Sequence, residues 1–507
     1  MSGRIESAVE AALAMFDPRA RTFRVFARGC RWEPLQALRP GAPPLKPSDF
    51  EVVATHDPAG GRIRLDWRRR FIEPLTSNID FAEIIAGDGG YITGPDVALG
   101  PMPARAMASD RVAAVRRQQE MLYPQLLIGE ALRRRDAGDA AALHQLSDTL
   151  LDGSPHAVVE IDAFPRPMRL YFDRASWRPT RLATEEHDHP RGDVEVAVRY
   201  AIWRYHGDLP VAADVELSLD GTVIHSEVRS LTEAKPQLAS DTFALPQRLP
   251  HDAALARRGL MNAQWIHRAL AMGAPISLDP GTVIVERITP EVITLGGGIH
   301  HSMAIRTGEG VVVLDSPQHE ARSRAVIDAI ADEWPGARIT HMILTHHHHD
   351  HSGGLRAYAA IDAELVIAEG DLAFVERVLA SPHTIAPDSL SEAEVTPRIT
   401  TVGDAALKLG DGAISVYRIT SPHCAEDLVI YIAGPKLLFN ADLFNPGLLP
   451  DEAACPCHWL TYSRDLRQQV EALDLDIDWL VGAHGALDGR PYKSLTDFTE
   501  RNGGPRP

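Results

Sequence analysis

One short stretch concentrates residues able to do chemistry: Thr345-His346-His347-His348-His349-Asp350-His351-Ser352-Gly353-Gly354. Imidazoles two apart in an extended loop can point the same way, and a carboxylate and another imidazole, Asp350 and His351, follow at once. Neutral nitrogen mixed with anionic oxygen is the donor set that zinc and other borderline metals take. A terminal tag or a solvated histidine tract has a different setting. This run is internal, is interrupted by Asp350, and ends in two glycines suited to a tight turn.

Two other clusters offer less. Cys455-Pro456-Cys457-His458 has one residue between its cysteines, the wrong spacing for a zinc knuckle, and there is no second pair, so it reads as a loop. Four cysteines in all, Cys30 and Cys424 being the others, are too few for a disulfide scaffold. Glu186-His187-Asp188-His189-Pro190 reads as a solvated turn.

The histidine loop needs a strand before it and a helix after it. The apolar run ending at Leu344 supplies the first, and residues 355–360 supply the second. Upstream lie short apolar strands at 283–288 and 292–295, then a glycine-rich loop, Gly296-Gly297-Gly298-Ile299-His300-His301, then strands at 303–306 and 310–315. The last of these ends in Asp315, and a helix follows at 319–334. This strand–helix–strand rhythm is that of an α/β domain.

Thr345-His346-x-His348-x-Asp350-His351-x-Gly353-Gly354 resembles the signature of the metallo-β-lactamase fold hydrolases. The family's other motifs have counterparts in order: Ser421-Pro422-His423, Leu437-Leu438-Phe439-Asn440-Ala441-Asp442 and Val481-Gly482-Ala483-His484-Gly485, with Asp315 matching an early aspartate of structural support. The resemblance covers residues 281–490 and implies an αββα sandwich. It also implies a ligand set: His346, His348 and His423 for one metal, Asp350, His351 and His484 for a second, and Asp442 bridging both. His347 and His349 would then be spacers that point away. Two zinc ions are expected, and iron or manganese would suit the same donors. The aspartate at 442 is more similar to the glyoxalase II, lactonase, sulfatase and phosphodiesterase branches than to the β-lactamases. His300 and His301 are expected beside the metals, in contact with substrate or orienting a ligand.

The 507-residue chain is long enough for two or three domains. Residues 281–507 form the expected catalytic domain, and 236–280 a linker with a helix near 252–272. Residues 1–235 are expected to form an α+β domain with a mainly antiparallel sheet, because short alternating segments at 23–27, 63–69 and 81–86 and a meander over 156–231 are separated by turn residues. A helix is expected at 5–16. An Ala-, Leu- and Arg-rich insertion at 103–152 reads as two or three helices, over 111–117, 120–135 and 140–151. The pattern of this half resembles lipoprotein-carrier-like modules of exported bacterial proteins.

A net charge of -18 argues against nucleic acid as the main partner. No apolar run approaches the length of a membrane span. Met1-Ser2-Gly3-Arg4-Ile5-Glu6 lacks the regions of a secretory signal, which leaves a cytoplasmic or a periplasmic setting, and assembly into a homo-oligomer stays open.

The function expected is metal-dependent hydrolysis of a small-molecule ester, lactone or amide, with Asp350 moving the proton. Alternatives are a phosphodiesterase, a sulfatase or a β-lactamase on the same scaffold, or a non-catalytic metal-dependent carrier. Acidic substrates would want cations nearby, and the sequence around the ligands offers only Arg356 and Lys436. Substrate choice is expected to lie in loops 370–398 and 443–460, with Pro382-His383-Thr384 and Asn445-Pro446-Gly447 at the mouth.

Overall fold

A strand that is apolar at every position has to be covered on both faces. Val311 and Val313 pack into one core with Ile330, Leu355 and Val375, whereas Val312 and Leu314 pack into another with Val416, Leu428 and Phe439. Leu365, Val366, Ile367 and Ala368 alternate between the same two cores. Such strands require helices on one side and a second sheet on the other. The computed structural model has this arrangement; it describes residues 5–17, 21–72, 76–96, 103–163, 165–246, 281–298, 300–445, 447 and 458–502.

The chain separates into two compact units. The second unit takes in residues 278–507 together with two segments from far upstream, Pro34–Leu45 and His187–Asp193. Among the described residues its first sheet has seven strands, in the order Ile284–Thr289, Val292–Gly296, Ser302–Thr307, Gly310–Leu314, Ile339–Ile343, Glu364–Ala368 and Ile399–Val402. The first three pairings are antiparallel and the last three parallel. The second sheet has six, in the order Leu407–Leu409, Ile414–Ile419, Asp427–Ile432, Leu437–Phe439, Trp479–Val481 and Arg490–Pro491. Helices Glu320–Glu333, Leu355–Ala360 and Leu372–Ala380 cover the outer face of the first sheet. Helices His458–Ala472 and Lys493–Arg501 cover that of the second. These layers make the αββα sandwich.

The first unit is built on one large antiparallel sheet. Its path runs through Arg105–Ala106, Gly89–Ile92, Ser77–Ala86, Arg62–Phe71, Leu45–Asp57, Phe23–Glu33, Thr222–Ala234, Leu209–Leu219, Gly192–His206, Pro179–Asp188, Met168–Asp173, Ser154–Ile161 and Leu143–Gln145, with Thr149–Leu151 also paired to Ser154–Ile161. The early strand Phe23–Glu33 lies against the late strand Thr222–Ala234, Phe23 opposite Ala234. Helices Ser7–Met15, Ser109–Leu122 and Pro124–Asp136 share one core with the sheet, through Leu13, Val115 and Ile128 among others.

Two expectations need correction, and a third holds for a different reason. Residues 140–151 are not a third helix. Leu143 pairs with Ile161, Gln145 with Val159 and Thr149 with His156, so strand partners override a helix-forming composition. His187 and Asp188 do not form a solvated turn: they end the strand Pro179–Asp188, Asp188 is buried, and the His187 ring stands edge-on to His383 at 5.1 Å. The turn expected at the two glycines after the histidine loop is present, with φ of -61° and -107°, which any residue adopts. They are needed for space, since a Cβ on Gly353 would lie 2.0 Å from the Gln318 carbonyl oxygen and one on Gly354 2.0 Å from Ser323 Oγ. The helix expected at 252–272 lies outside the described residues.

Candidate metal centre

Four of the candidate residues stand just beyond the end of a strand. Gly310–Leu314 and Ile339–Ile343 run parallel and lead into Asp315 and His346; Leu437–Phe439 and Trp479–Val481 run parallel and lead into Asp442 and His484. The pairing continues past the strands: Asp315 N donates to Ile343 O (2.9 Å), Asn440 N to Val481 O (3.0 Å), and Ala483 N to Ala441 O (2.8 Å). Asp315 (φ 62°) and Ala441 (φ 48°) turn the chain through the left-handed region. For residues with a Cβ this costs about 1–2 kcal/mol each, and it redirects the chain where the two carboxylates are presented. His423 comes from the loop between Ile414–Ile419 and Asp427–Ile432.

These residues form two adjoining groups. Potential ligand atoms of His346, His348 and His423 lie within 4.8 Å of one another, and so do those of Asp350, His351, Asp442 and His484. Asp442 links them. Its Oδ2 is 3.3 Å from His423 Nε2, and its Oδ1 is 3.2 Å from both His351 Nε2 and His484 Nε2. Asp350 Oδ2 closes the second group, 3.8 Å from His351 Nε2 and 3.6 Å from His484 Nε2.

Buried polar atoms ordinarily find hydrogen bonds. His348 Nδ1, His351 Nε2 and Asp442 Oδ1 are buried here and have none. Meanwhile the opposite ring nitrogens are anchored, His348 Nε2 to the Ala37 carbonyl (3.0 Å) and His351 Nδ1 to Asp315 Oδ2 (2.8 Å). Rings held at one nitrogen and unsatisfied at the other are what metal ligation requires. The donor set therefore fits divalent metal ions.

Protonation follows the same geometry. Burial, then the neighbouring imidazoles, holds His346 and His348 well below the usual histidine range, so both are neutral. Burial also pushes His351 down, but Asp442, Asp315 and Asp350 outweigh it and the net shift is strongly upward. His423 and His484 are raised in the same way, burial being overcome by Asp442. Burial raises Asp442, yet the surrounding imidazoles hold it well below the carboxylate range. Protons on the second group thus compete with a cation for the same atoms.

His347 and His349, expected as spacers, have partners of their own, and His347 forms a further candidate metal group with His348 and Cys424. His347 Nδ1 faces Cys424 Sγ (3.5 Å), its ring lies against Phe374, and His349 Nδ1 is 3.3 Å from the Gln36 amide nitrogen. His300 and His301 are buried: His300 Nε2 is 2.9 Å from His351 Nδ1, and His301 Nε2 is 3.0 Å from the Gly485 carbonyl oxygen. Asn445 Oδ1 accepts from His484 N at 2.9 Å, while Pro446, Cys455 and Cys457 lie outside the described residues. Pro382-His383-Thr384 is engaged with the upstream segment, Thr384 N donating to Asp193 Oδ2 at 3.0 Å.

Two features escaped the sequence reading. His346 Nδ1 is engaged by Thr345 Oγ1 (3.1 Å) with Asp427 Oδ1 3.5 Å away, which leaves Nε2 facing the first group; a strand-opening aspartate close after His423 could have suggested the second contact. Gln36 donates to Asp350 Oδ1 at 2.7 Å, and no pattern around position 36 points there.

Residues 295–484 match the family model described as the Metallo-beta-lactamase superfamily. No curated protein matches the chain. Among solved structures, a metallo-beta-lactamase from Pontibacter korlensis is similar at 18% identity, covering 44% of this chain and 100% of its own, with a TM-score of 0.33. One from Hirschia baltica is similar at 17% identity, covering 44% of this chain and 98% of its own, with a TM-score of 0.33.

Proposed function

We propose, residues 295–484 being a domain of the metallo-beta-lactamase superfamily, that this protein is a dinuclear metal hydrolase, zinc being the expected metal, acting on a small uncharged carbonyl compound: an ester, a lactone or an amide. The observation that carries the reading is the split carboxylate of Asp442, with one oxygen 3.3 Å from the first group and the other 3.2 Å from the second. A bridging ligand has this placement.

His346, His348 and His423 would hold one ion and Asp350, His351 and His484 the other, with Asp442 shared. When bound, the pair supplies a water acidified towards neutral pH and a polarising contact for the substrate oxygen. The side chains supply the rest. Asp315 and the Ala37 carbonyl keep His351 and His348 in the tautomers that present Nε2 and Nδ1. Asp350, whose Oδ2 faces the second group, would take a proton from the attacking water and return it to the leaving group. No serine or cysteine nucleophile is needed.

The choice of a neutral substrate is supported by the fate of the nearby cations. Arg356 is buried, paired with both oxygens of Asp388 and bonded to the Val378 carbonyl, and Lys436 pairs with Asp476. Residues 448–457 include no lysine or arginine. A phosphodiester or a sulfate would find no uncommitted cation in any of these places.

Elemental analysis should find two metal ions per chain. A panel of chromogenic esters, lactones, β-lactams and phosphodiesters should show chelator-sensitive turnover on the carbonyl substrates. Asp442→Ala should lose metal together with activity, and full occupancy by two ions in that variant would refute the assignment. Turnover of phosphodiesters alone would move the protein to the alternative branch. No chelator-sensitive turnover on any substrate would favour a carrier.

A further inference from the structure

Three consecutive residues of an upstream segment each tie down a different part of the centre. Gln36 Nε2 donates to Asp350 Oδ1 at 2.7 Å. The Ala37 carbonyl accepts from His348 Nε2 at 3.0 Å. The Leu38 carbonyl accepts from Ala425 N at 2.8 Å, two residues beyond His423. Leu35, immediately before them, packs in the core with Leu344, Leu355 and Leu365. All belong to the second unit, although the remainder of that unit lies far downstream in sequence.

From this we infer that Gln36 is a positioning residue for the metal centre, selecting which oxygen of Asp350 is offered to the second ion. The inference rests on the dinuclear reading above. Asp350 has two chemically equal oxygens. Gln36 occupies Oδ1, and that leaves Oδ2 as the oxygen directed at His351 and His484. Gln36 and Asp350 are both buried, so water competes poorly for Oδ1. A carboxamide N–H bonded to an ionised carboxylate is among the stronger hydrogen bonds a protein makes. Leu35 and Leu38 anchor the segment on either side, so the amide is held in place rather than merely able to reach. The adjacent Ala37 carbonyl does the equivalent for His348: with Nε2 committed, the unsatisfied Nδ1 is the ligand atom. One turn of chain therefore sets an oxygen in one half of the centre and a tautomer in the other.

The test uses the full chain with Gln36→Met, which keeps the volume and removes the donor, and Gln36→Glu, which replaces the donor by an acceptor. Zinc affinities of both sites are read by competition with a chromophoric chelator, the ligand field is read from the cobalt-substituted protein, and the melting temperature is read on metal-free protein. Losing an outer hydrogen-bond partner typically weakens metal binding about 10–100-fold. Gln36→Met is expected to lose that much at one ion only, with an altered cobalt spectrum, whatever its metal-free melting temperature, which falls because Asp350 Oδ1 loses its buried donor. Gln36→Glu should lose more, since two carboxylates then face each other. Wild-type affinity at both ions with an unchanged spectrum would overturn the inference while leaving the hydrolase reading intact. Equal weakening at both ions, whatever the metal-free melting temperature, would overturn it too, by showing a contact that is only structural. Wild-type protein that takes up fewer than two ions would instead remove the dinuclear reading, and this inference with it.

Discussion

Asp315 is fully buried and directs both carboxylate oxygens at the histidine loop. Oδ1 accepts from Thr345 N (2.9 Å) and Thr345 Oγ1 (2.8 Å), and Oδ2 accepts from His351 Nδ1 (2.8 Å). An asparagine has the same shape but only one acceptor oxygen. In Asp315→Asn its NH2 group must confront either the Thr345 amide or the His351 Nδ1–H, two donors face to face in a buried site. The ring then tips or changes tautomer, and Nε2 no longer aims at Asp442 Oδ1. The expected result is about a 10–100-fold loss of affinity for one metal ion, measured by chelator competition. Unchanged affinity would mean that His351 is oriented by something else, His300 being the nearest candidate at 2.9 Å.

The short helix His349–Ser352 carries Asp350 and His351, and Gly353 is where it is pressed against the chain before helix Glu320–Glu333. A Cβ at 353 would meet the Gln318 carbonyl oxygen at 2.0 Å and its carbon at 2.4 Å, both backbone atoms that cannot swing aside. Gly353→Ala should therefore cost about 1–3 kcal/mol through overpacking, and displace Asp350 and His351 together. Gly308→Ala is the control, having nothing within 4 Å of its added Cβ. Melting temperature and metal content should both fall in the first variant and hold in the second; a Gly353→Ala protein that keeps its metal would show that the helix can shift without moving its ligands. The sequence signals at this level were uneven for physical reasons. Strands such as Gly310–Leu314 and Ile339–Ile343 are readable because burial on two faces leaves unbroken apolar runs. The glycine pair is readable as a pair, but its cause is not, since close approach to Gln318 and Ser323 is a property of the packed structure. Residues 140–151 misread because their partner strand, Ser154–Ile161, is what makes them extended.

Across the whole chain the motifs that converge in the candidate centre were readable because each follows its own strand, whereas Gln36 was not, because its place depends on a loop hundreds of positions away. The same distance hides the titrating groups of the first unit. His56 is stacked on Phe23 (4.7 Å), bonded to Gln119 (3.0 Å), and pushed by burial down to about 4; His225 is pushed down to about 4 by burial as well. Glu120 and Glu186 move the other way, burial outweighing Arg117 and raising both to about 7. A histidine with a lowered folded pKa contributes stability above its ordinary value near 6.5 and loses it as pH falls towards 4, because the unfolded chain takes up the proton first. A carboxylate with a raised folded pKa does the reverse, contributing most below its ordinary value near 4.5 and losing that as pH rises through 7. Between pH 4.5 and 6.5 the two kinds of group offset each other, so the wild-type acid limb conceals both. Removing one side exposes the other. His56→Phe leaves the Gln119 oxygen unpaired and should be less stable than wild type at pH 8 by about 1–3 kcal/mol. As pH falls below 6.5 the wild type pays for protonating its unfolded His56 and the variant does not, so the gap should close at up to about 1.4 kcal/mol per pH unit. Urea unfolding followed by tryptophan fluorescence at pH 8, 6 and 5 reads that gap, with Trp67 reporting from the buried core of the same unit. A gap that stays constant from pH 8 to 5 would show that His56 titrates normally in the folded chain, and so that water reaches the ring between Phe23 and Tyr123.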